Sequence, residues 1–212
     1  MKLFTVPVTC PVCGTSFKGH VLSEYHVEGY TLDFKPLFEN GEKLLKYFIW
    51  FCPACHYAGY DNRFSFRKNS VSLEPAFIEA VMRLPKKSPA PLPYRFYRAG
   101  EIGELMGEKG VALMDYFLKS YWAAKDMKKK EWVKKSSQRI LELAEQIYEE
   151  AGESEDLFIA LYLAGTIYYE QGNMEEAAFQ FSRMMRIKTI PTQYEKQIKF
   201  ALDFLKGHKN EG

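Results

Sequence analysis

Cys10-Pro11-Val12-Cys13-Gly14 and Cys52-Pro53-Ala54-Cys55-His56 decide how this chain is read. Each is a C-P-x-C bracket, the pair uses all 4 cysteines of the 212 residues, and 38 residues separate them. A CxxC turn sets two thiols on one side of a tight loop. Two such loops face to face make the tetrahedral sulfur site that Zn²⁺ prefers. Cys10, Cys13, Cys52 and Cys55 are therefore the expected metal ligands. A four-sulfur shell is closed to water and substrate, so the expected role is structural. Rubredoxin-like iron uses the same donor set and is the alternative occupant. A redox dithiol at one bracket would want a βαβ setting, which neither bracket has.

Working outward, residues 1–70 read as a β-rich zinc ribbon-like domain. Val6–Thr9 leads into the first bracket and Ser16–Val21 leads out of it. Tyr47-Phe48-Ile49-Trp50-Phe51 is an aromatic run expected to enter the second bracket as a strand, and Asn40-Gly41 signals a turn between the halves. A segment this short buries too little to fold unaided, and structural zinc contributes on the order of 10–16 kcal/mol in small zinc-finger peptides. Trp50, Phe51 and Tyr57 would shield the centre.

Residues 71–100 are expected to hold a short helix, Glu74–Arg83, and the connector Pro85-Lys86-Lys87-Ser88-Pro89-Ala90-Pro91-Leu92-Pro93. Four prolines in that stretch argue for a stiff spacer and a domain boundary. Residues 101–212 read as helix throughout, with apolar residues at three- and four-residue spacing over Val111–Met127, Glu131–Ala151, Glu155–Gln171, Met174–Ile187 and Thr192–Lys206. Gly152, Gly172 and Gly207 punctuate these helices, and Pro191 precedes the last.

Leu161 to Phe181 follows the tetratricopeptide spacing. Gly165 stands where two helices touch, with Tyr168 after it, Gly172 at the turn, Ala177 as the small residue of the second helix and Phe181 as its bulky neighbour. Leu141, Ala144 and Tyr148 repeat Met174, Ala177 and Phe181 at an offset of 33 residues, a second and degenerate copy. A plain helical hairpin bundle is the alternative. Tyr162 and Tyr169 are candidates for a groove between the stacked helices, though tyrosines at this spacing are commonly core.

Composition excludes several classes. The formal charge of +2 gives no global case for nucleic-acid or membrane-surface binding. Hydrophobic residues make up 47% of the chain, enough for a packed core, but no apolar run reaches the roughly 18–20 residues of a membrane helix. The N-terminus has no signal-peptide pattern, which points to the cytoplasm, where paired cysteines hold metal more often than disulfides. No phosphate loop, dinucleotide fingerprint, metalloprotease helix or nucleophile elbow is present, so no catalytic residue is assigned. Glu142, Glu145, Glu149 and Glu150 read as a solvated helix face.

The basic run Lys125–Lys135 encloses Trp132, and two readings stand: nucleic-acid contact by phosphate and stacking, or an exposed helix junction whose tryptophan packs inward. His56 occupies the place where a zinc knuckle usually carries glycine. It reads as a strained turn, a donor beside the site or a surface substitution. His20 and His26, with Glu28 or Asp33, have no spacing that demands a second metal site.

The order CPVCG-x-x-F, Asp33-Phe34, W-F-C-P-A-C-H-Y-A, Phe64 and a helical tail resembles the uncharacterised bacterial proteins called the domain of unknown function 2225 family. The resemblance is best over the N-terminal 70 residues. It implies that Cys10, Cys13, Cys52 and Cys55 bind zinc and that the tail is tetratricopeptide-like, and it implies no activity. The departure is His56, where the family pattern carries glycine.

The fold expected is α+β: a small N-terminal β-rich zinc ribbon followed by an all-α tetratricopeptide-like domain. The function expected is that of a non-enzymatic, zinc-binding adaptor that meets a protein or peptide partner through its helices. A nucleic-acid-binding ribbon and an iron electron-transfer protein are the alternatives.

Overall fold

A computed structural model describes residues 2–41, 43–66, 70–150, 152–188 and 192–209. The architecture is α+β, with small strand hairpins carrying the cysteines followed by helices. Its contacts divide into two compact units, one of residues 1–30 and 36–136, the other of residues 31–35 and 137–212.

In the first unit, β1 (Lys2–Thr9) and β2 (Ser16–Glu24) form an antiparallel hairpin in register Thr9 to Ser16 and Val8 to Phe17. The first bracket is the loop between them. β3 (Val27–Tyr30) pairs antiparallel with β4 (Pro36–Phe38), and β5 (Trp50–Phe51) with β6 (Ala58–Gly59) across the second bracket. The aromatic run is only partly strand. Leu44–Tyr47 turns as a 3₁₀ helix that buries Leu44 and Leu45, and extended pairing starts at Trp50. Asn40 and Gly41 form the expected turn, both with positive φ.

α1 (Pro75–Arg83) starts on a proline, as its fixed φ favours. α2 (Leu92–Leu105) begins inside the region expected to be linker, because Pro93 in its first turn gives up no helical hydrogen bond. α3 (Gly110–Asp126) packs on α2, and Gly100 lets the Phe117 ring approach so closely that an added Cβ would lie 2.5 Å from it.

The compact units therefore part elsewhere than at residues 70 and 100. α2 and α3 belong with the knuckles, and Arg63 shows why. This buried guanidinium leaves the knuckle region, donates to the Ala99 carbonyl of α2 at 3.1 Å, pairs with Glu108 and lies over the Tyr116 ring. The proline connector is tied down as well. Arg98, 2% exposed, donates to the Pro85 carbonyl, and Lys86 donates to the Ala54 carbonyl of the second bracket at 3.1 Å.

α4 (Lys130–Glu150) supplies residues 130–136 to the first unit and 137–150 to the second. Trp132 is 5% exposed, packed edge-on against Tyr94 and Tyr97, with Lys87 and Lys135 over its ring. Of the two readings of the basic run, the inward-packed tryptophan is the one found.

The second unit contains α5 (Glu155–Glu170), α6 (Met174–Met184) and α7 (Glu195–Lys209). Ser154 caps α5 by accepting from the Leu157 amide, and Asn173 caps α6 by accepting from the Glu176 amide. Gly172 takes φ +79° at the turn between them, as its position predicts. α7 runs through Gly207 instead of ending there, and Pro191 lies outside the described residues.

At the α5–α6 contact an added Cβ on Gly165 would lie 2.5 Å from the Phe181 ring, so the glycine makes room for it. Phe181 is fully buried and meets Phe200 and Phe204. Tyr148, its counterpart one repeat earlier, is 44% exposed and does not take that core place.

The unit also contains Thr31–Lys35, a turn closed by the Thr31 amide donating to the Lys35 carbonyl at 2.9 Å. Phe34 in this turn has φ 61° and sets its ring 5.2 Å from Tyr162 and 5.7 Å from Tyr194. Tyr162 is thus core, not groove, and Tyr169 packs on Phe200 and Phe204.

Candidate metal centre

Both brackets fold into the same local shape. The amide of Gly14 donates to the Cys10 carbonyl at 2.9 Å, and the Cys10 amide to the Thr15 carbonyl at 3.0 Å. The second bracket repeats this with His56 to Cys52 at 3.0 Å and Cys52 to Tyr57 at 2.8 Å. The fifth residue turns left-handed in each, Gly14 at φ +71° and His56 at φ 64°. Glycine adopts that conformation freely, whereas a side chain there costs roughly 1–2 kcal/mol.

The structure brings all four predicted residues together. The metal-binding atoms of Cys10, Cys13, Cys52 and Cys55 lie within 4.8 Å of one another. Cys10 and Cys55 have sulfurs 3.5 Å apart, as do Cys13 and Cys52. A disulfide would require about 2.05 Å. A tetrahedron of sulfurs about 2.3 Å from a central ion has edges of about 3.8 Å. The spacing and the soft donor set fit a tetrahedral thiolate-bound ion, so the four cysteines could hold a metal.

Each close pair takes one sulfur from each bracket, so closing the set demands both knuckles at once. Cys10, Cys52 and Cys55 are buried, while Cys13 is exposed. Among the described residues no other group of His, Cys, Asp and Glu has this geometry, and His20, His26, Glu28 and Asp33 form none.

Crowding drives the four thiols apart in acidity. Hydrogen bonds from Cys10 and Cys55 hold Cys52 well below the ordinary thiol range. The contact with Cys52 and burial push Cys10 up to about 12, and Cys55 is raised by its contacts with Cys10 and Cys52. Four thiolates at this distance repel one another, and a bound divalent cation is what lets them all ionise.

The surroundings of the second bracket were only partly visible in the sequence. Trp50 and Tyr57 are buried beside it as expected, and Phe51 is half-buried. Trp50 donates its indole N–H to the His20 carbonyl at 2.9 Å. His56 is no bare surface substitution. Its Nδ1 lies 2.9 Å from the Tyr94 hydroxyl, and its ring meets Phe51 and Tyr94.

Tyr94 in turn accepts from Arg98 Nη2 at 2.9 Å and from the Lys87 amide at 3.3 Å. Burial first, then Arg98 and Lys86, lower the pKa of His56 and favour its neutral form. Tyr94 and Arg98 went unrecognised in the sequence. Their i, i+4 spacing puts them on one face of α2, but nothing in the sequence aims that face at residue 56.

Residues 3–81 match a family model described as "Uncharacterized protein conserved in bacteria (DUF2225)". No curated protein and no solved structure matches the chain. Over residues 3–81, which take in both knuckles and most of α1, the chain is similar to the bacterial family its two brackets resemble.

Proposed function

We propose that this protein is a non-enzymatic interaction adaptor of the cytoplasm, in which a structural Zn²⁺ held by Cys10, Cys13, Cys52 and Cys55 fixes the first unit. The convergence of four sulfurs within 4.8 Å, three of them buried, supports the structural role. With four protein sulfurs on a tetrahedral ion there is no vacant position for a substrate. Zinc is favoured over iron by its preference for closed thiolate sites in small folds.

One observation carries the adaptor reading. Arg183 lies between two exposed rings of the helical unit, 3.3 Å from the centroid of Tyr148 and 5.1 Å from that of Phe179. Tyr148 is 44% and Phe179 56% exposed, while Arg183 is held from behind by Glu145 and Gln180. Aromatics and arginine locked in place are the composition of binding hot spots. The partner would lay a peptide or helix on this face. Gly165, Gly172, Ala177 and Phe181 support a tetratricopeptide-like pairing of α5 and α6 beneath it.

The nucleic-acid reading is disfavoured because Trp132 is buried and has no ring face to offer a base. No helix of the described residues is long and apolar enough to cross a membrane.

Elemental analysis of the purified protein, with its visible spectrum, tests the centre. One zinc per chain and no colour is expected; iron with thiolate charge-transfer bands would make the electron-transfer reading the better one. Cross-linking in cells tests the adaptor, comparing the wild type with the Tyr148→Ala, Phe179→Ala double variant. A specific partner lost in the variant is expected. An unchanged set of cross-links would remove this face from the proposal.

A further inference from the structure

The two cysteine brackets share a backbone shape but are not covered alike. Cys13 is exposed, whereas its counterpart Cys55 is buried, as are Cys10 and Cys52. The residue that follows each differs in the same sense. Gly14 carries no side chain, and a Cβ built there would meet nothing within 4 Å. His56 stands at the equivalent place in the second bracket and packs its ring on Phe51 and Tyr94. One sulfur of the set therefore faces water, and the other three lie behind it.

An accessible sulfur with a second sulfur in reach is the arrangement by which a cysteine pair responds to oxidants. The Cys52 sulfur lies 3.5 Å from that of Cys13, and the Cys10 sulfur 3.5 Å from that of Cys55. Both contacts run from one bracket to the other. Closing each to the roughly 2.05 Å of a disulfide is a small side-chain movement. Two such bonds would tie the brackets together as the metal does, yet leave no thiolate to bind it.

We propose that the centre is a peroxide-sensitive switch in which Cys13 is the point of attack and Cys52 the resolving residue. The Cys13 thiolate attacks one oxygen of hydrogen peroxide; an S–O bond forms, the O–O bond breaks and hydroxide leaves, to be protonated to water. The Cys52 thiolate then attacks the Cys13 sulfur, and the S–S bond forms as the S–O bond breaks and a second hydroxide departs. Two electrons pass from the sulfur pair to the peroxide. With two of the four donors joined to each other, the ion is released, and a second peroxide oxidises Cys10 and Cys55 in the same way. Added thiol reverses both steps by disulfide exchange. The inference rests on the reading of the four cysteines as a zinc site and is independent of the adaptor reading.

The test treats the purified, zinc-loaded full-length protein with hydrogen peroxide at a dose that leaves the exposed Met82 and Met106 unoxidised. A chromogenic chelator reads zinc release, dimedone traps the sulfenic acid, and mass spectrometry of unreduced peptides maps the disulfides. Loss of the bound zinc is expected, with dimedone on Cys13 and cross-links Cys13–Cys52 and Cys10–Cys55. Dithiothreitol followed by Zn²⁺ should restore the loaded protein. Elemental analysis before peroxide separates the two ways to fail. A chain that binds no zinc at the outset fails the metal reading and takes the switch with it, whereas zinc bound and then retained under peroxide overturns the switch alone. Dimedone on Cys55 in preference to Cys13, or disulfides formed within each bracket, would equally overturn it.

Discussion

His56 Nδ1 and the Tyr94 hydroxyl meet at 2.9 Å, joining the second cysteine knuckle to α2. The histidine occupies a left-handed position, φ 64°, where the first knuckle carries Gly14. The chain thus accepts backbone strain at this turn in exchange for a ring that packs on Phe51 and Tyr94.

That exchange separates two substitutions. His56→Ala loses the ring and its hydrogen bond but keeps the unfavourable φ, whereas His56→Gly loses the same contacts and relieves the strain. Both are expected to be less stable than the wild type, with the glycine variant about 1 kcal/mol better than the alanine variant. Urea unfolding at a fixed excess of Zn²⁺ measures this. An alanine variant as stable as the glycine variant would mean the turn carries no strain.

Disrupting the centre should reach beyond the strands. Cys52→Ser removes a buried donor that shares a close pair with Cys13. Hydrogen exchange should show protection lost across the first unit, α2 and α3 included, because Arg63 and Arg98 bind the knuckle region and connector to α2. α5, α6 and α7 should keep theirs. Loss confined to residues 1–70 would mean that α2 and α3 hold without the centre.

The α5–α6 contact leaves no room for a methyl group. Gly165→Ala brings a Cβ to 2.5 Å from the Phe181 ring. Alanine gains up to about 1 kcal/mol in helix propensity, but overpacking costs about 1–3 kcal/mol. A net loss of about 1–2 kcal/mol is expected, and Phe181→Leu in the same chain should recover part of it. Thermal melts of the single and double variants decide the matter; additive losses would show that the two residues do not interact.

Acid should weaken the second unit through Glu145. Its hydrogen bond from Arg183 depresses its pKa below that of the unfolded chain. The stability this lends is fully present above the unfolded carboxylate value of about 4.3. It is lost as pH falls through the lower folded value. Glu145→Gln should flatten this acid limb without changing the shape of the curve near neutrality. Hydrogen exchange of α6 between about pH 3 and 6 reads it, and an identical acid limb in the variant would rule out the pair as its source.

What could be read from the chain alone was local. Two C-P-x-C brackets place thiols through covalent geometry, so the donor set Cys10, Cys13, Cys52 and Cys55 was legible from spacing. Apolar periodicity and glycine punctuation placed the helices, and the tetratricopeptide spacing marked Gly165 as a small residue where two helices touch, while the Phe181 ring that fills the space beside it is seen only in the fold.

Only the tertiary structure decided what depends on residues far apart in sequence. It turned Trp132 inward, set Phe34 on Tyr162 and brought Tyr94 to His56. It also drew α2 and α3 into the unit of the knuckles, across a proline run that reads as a boundary. Proline restricts the chain's own φ but says nothing about what packs beside it. Sequence specifies which faces are apolar and which atoms can bind metal; which face meets which is settled by packing, where buried arginines and aromatic rings find their partners.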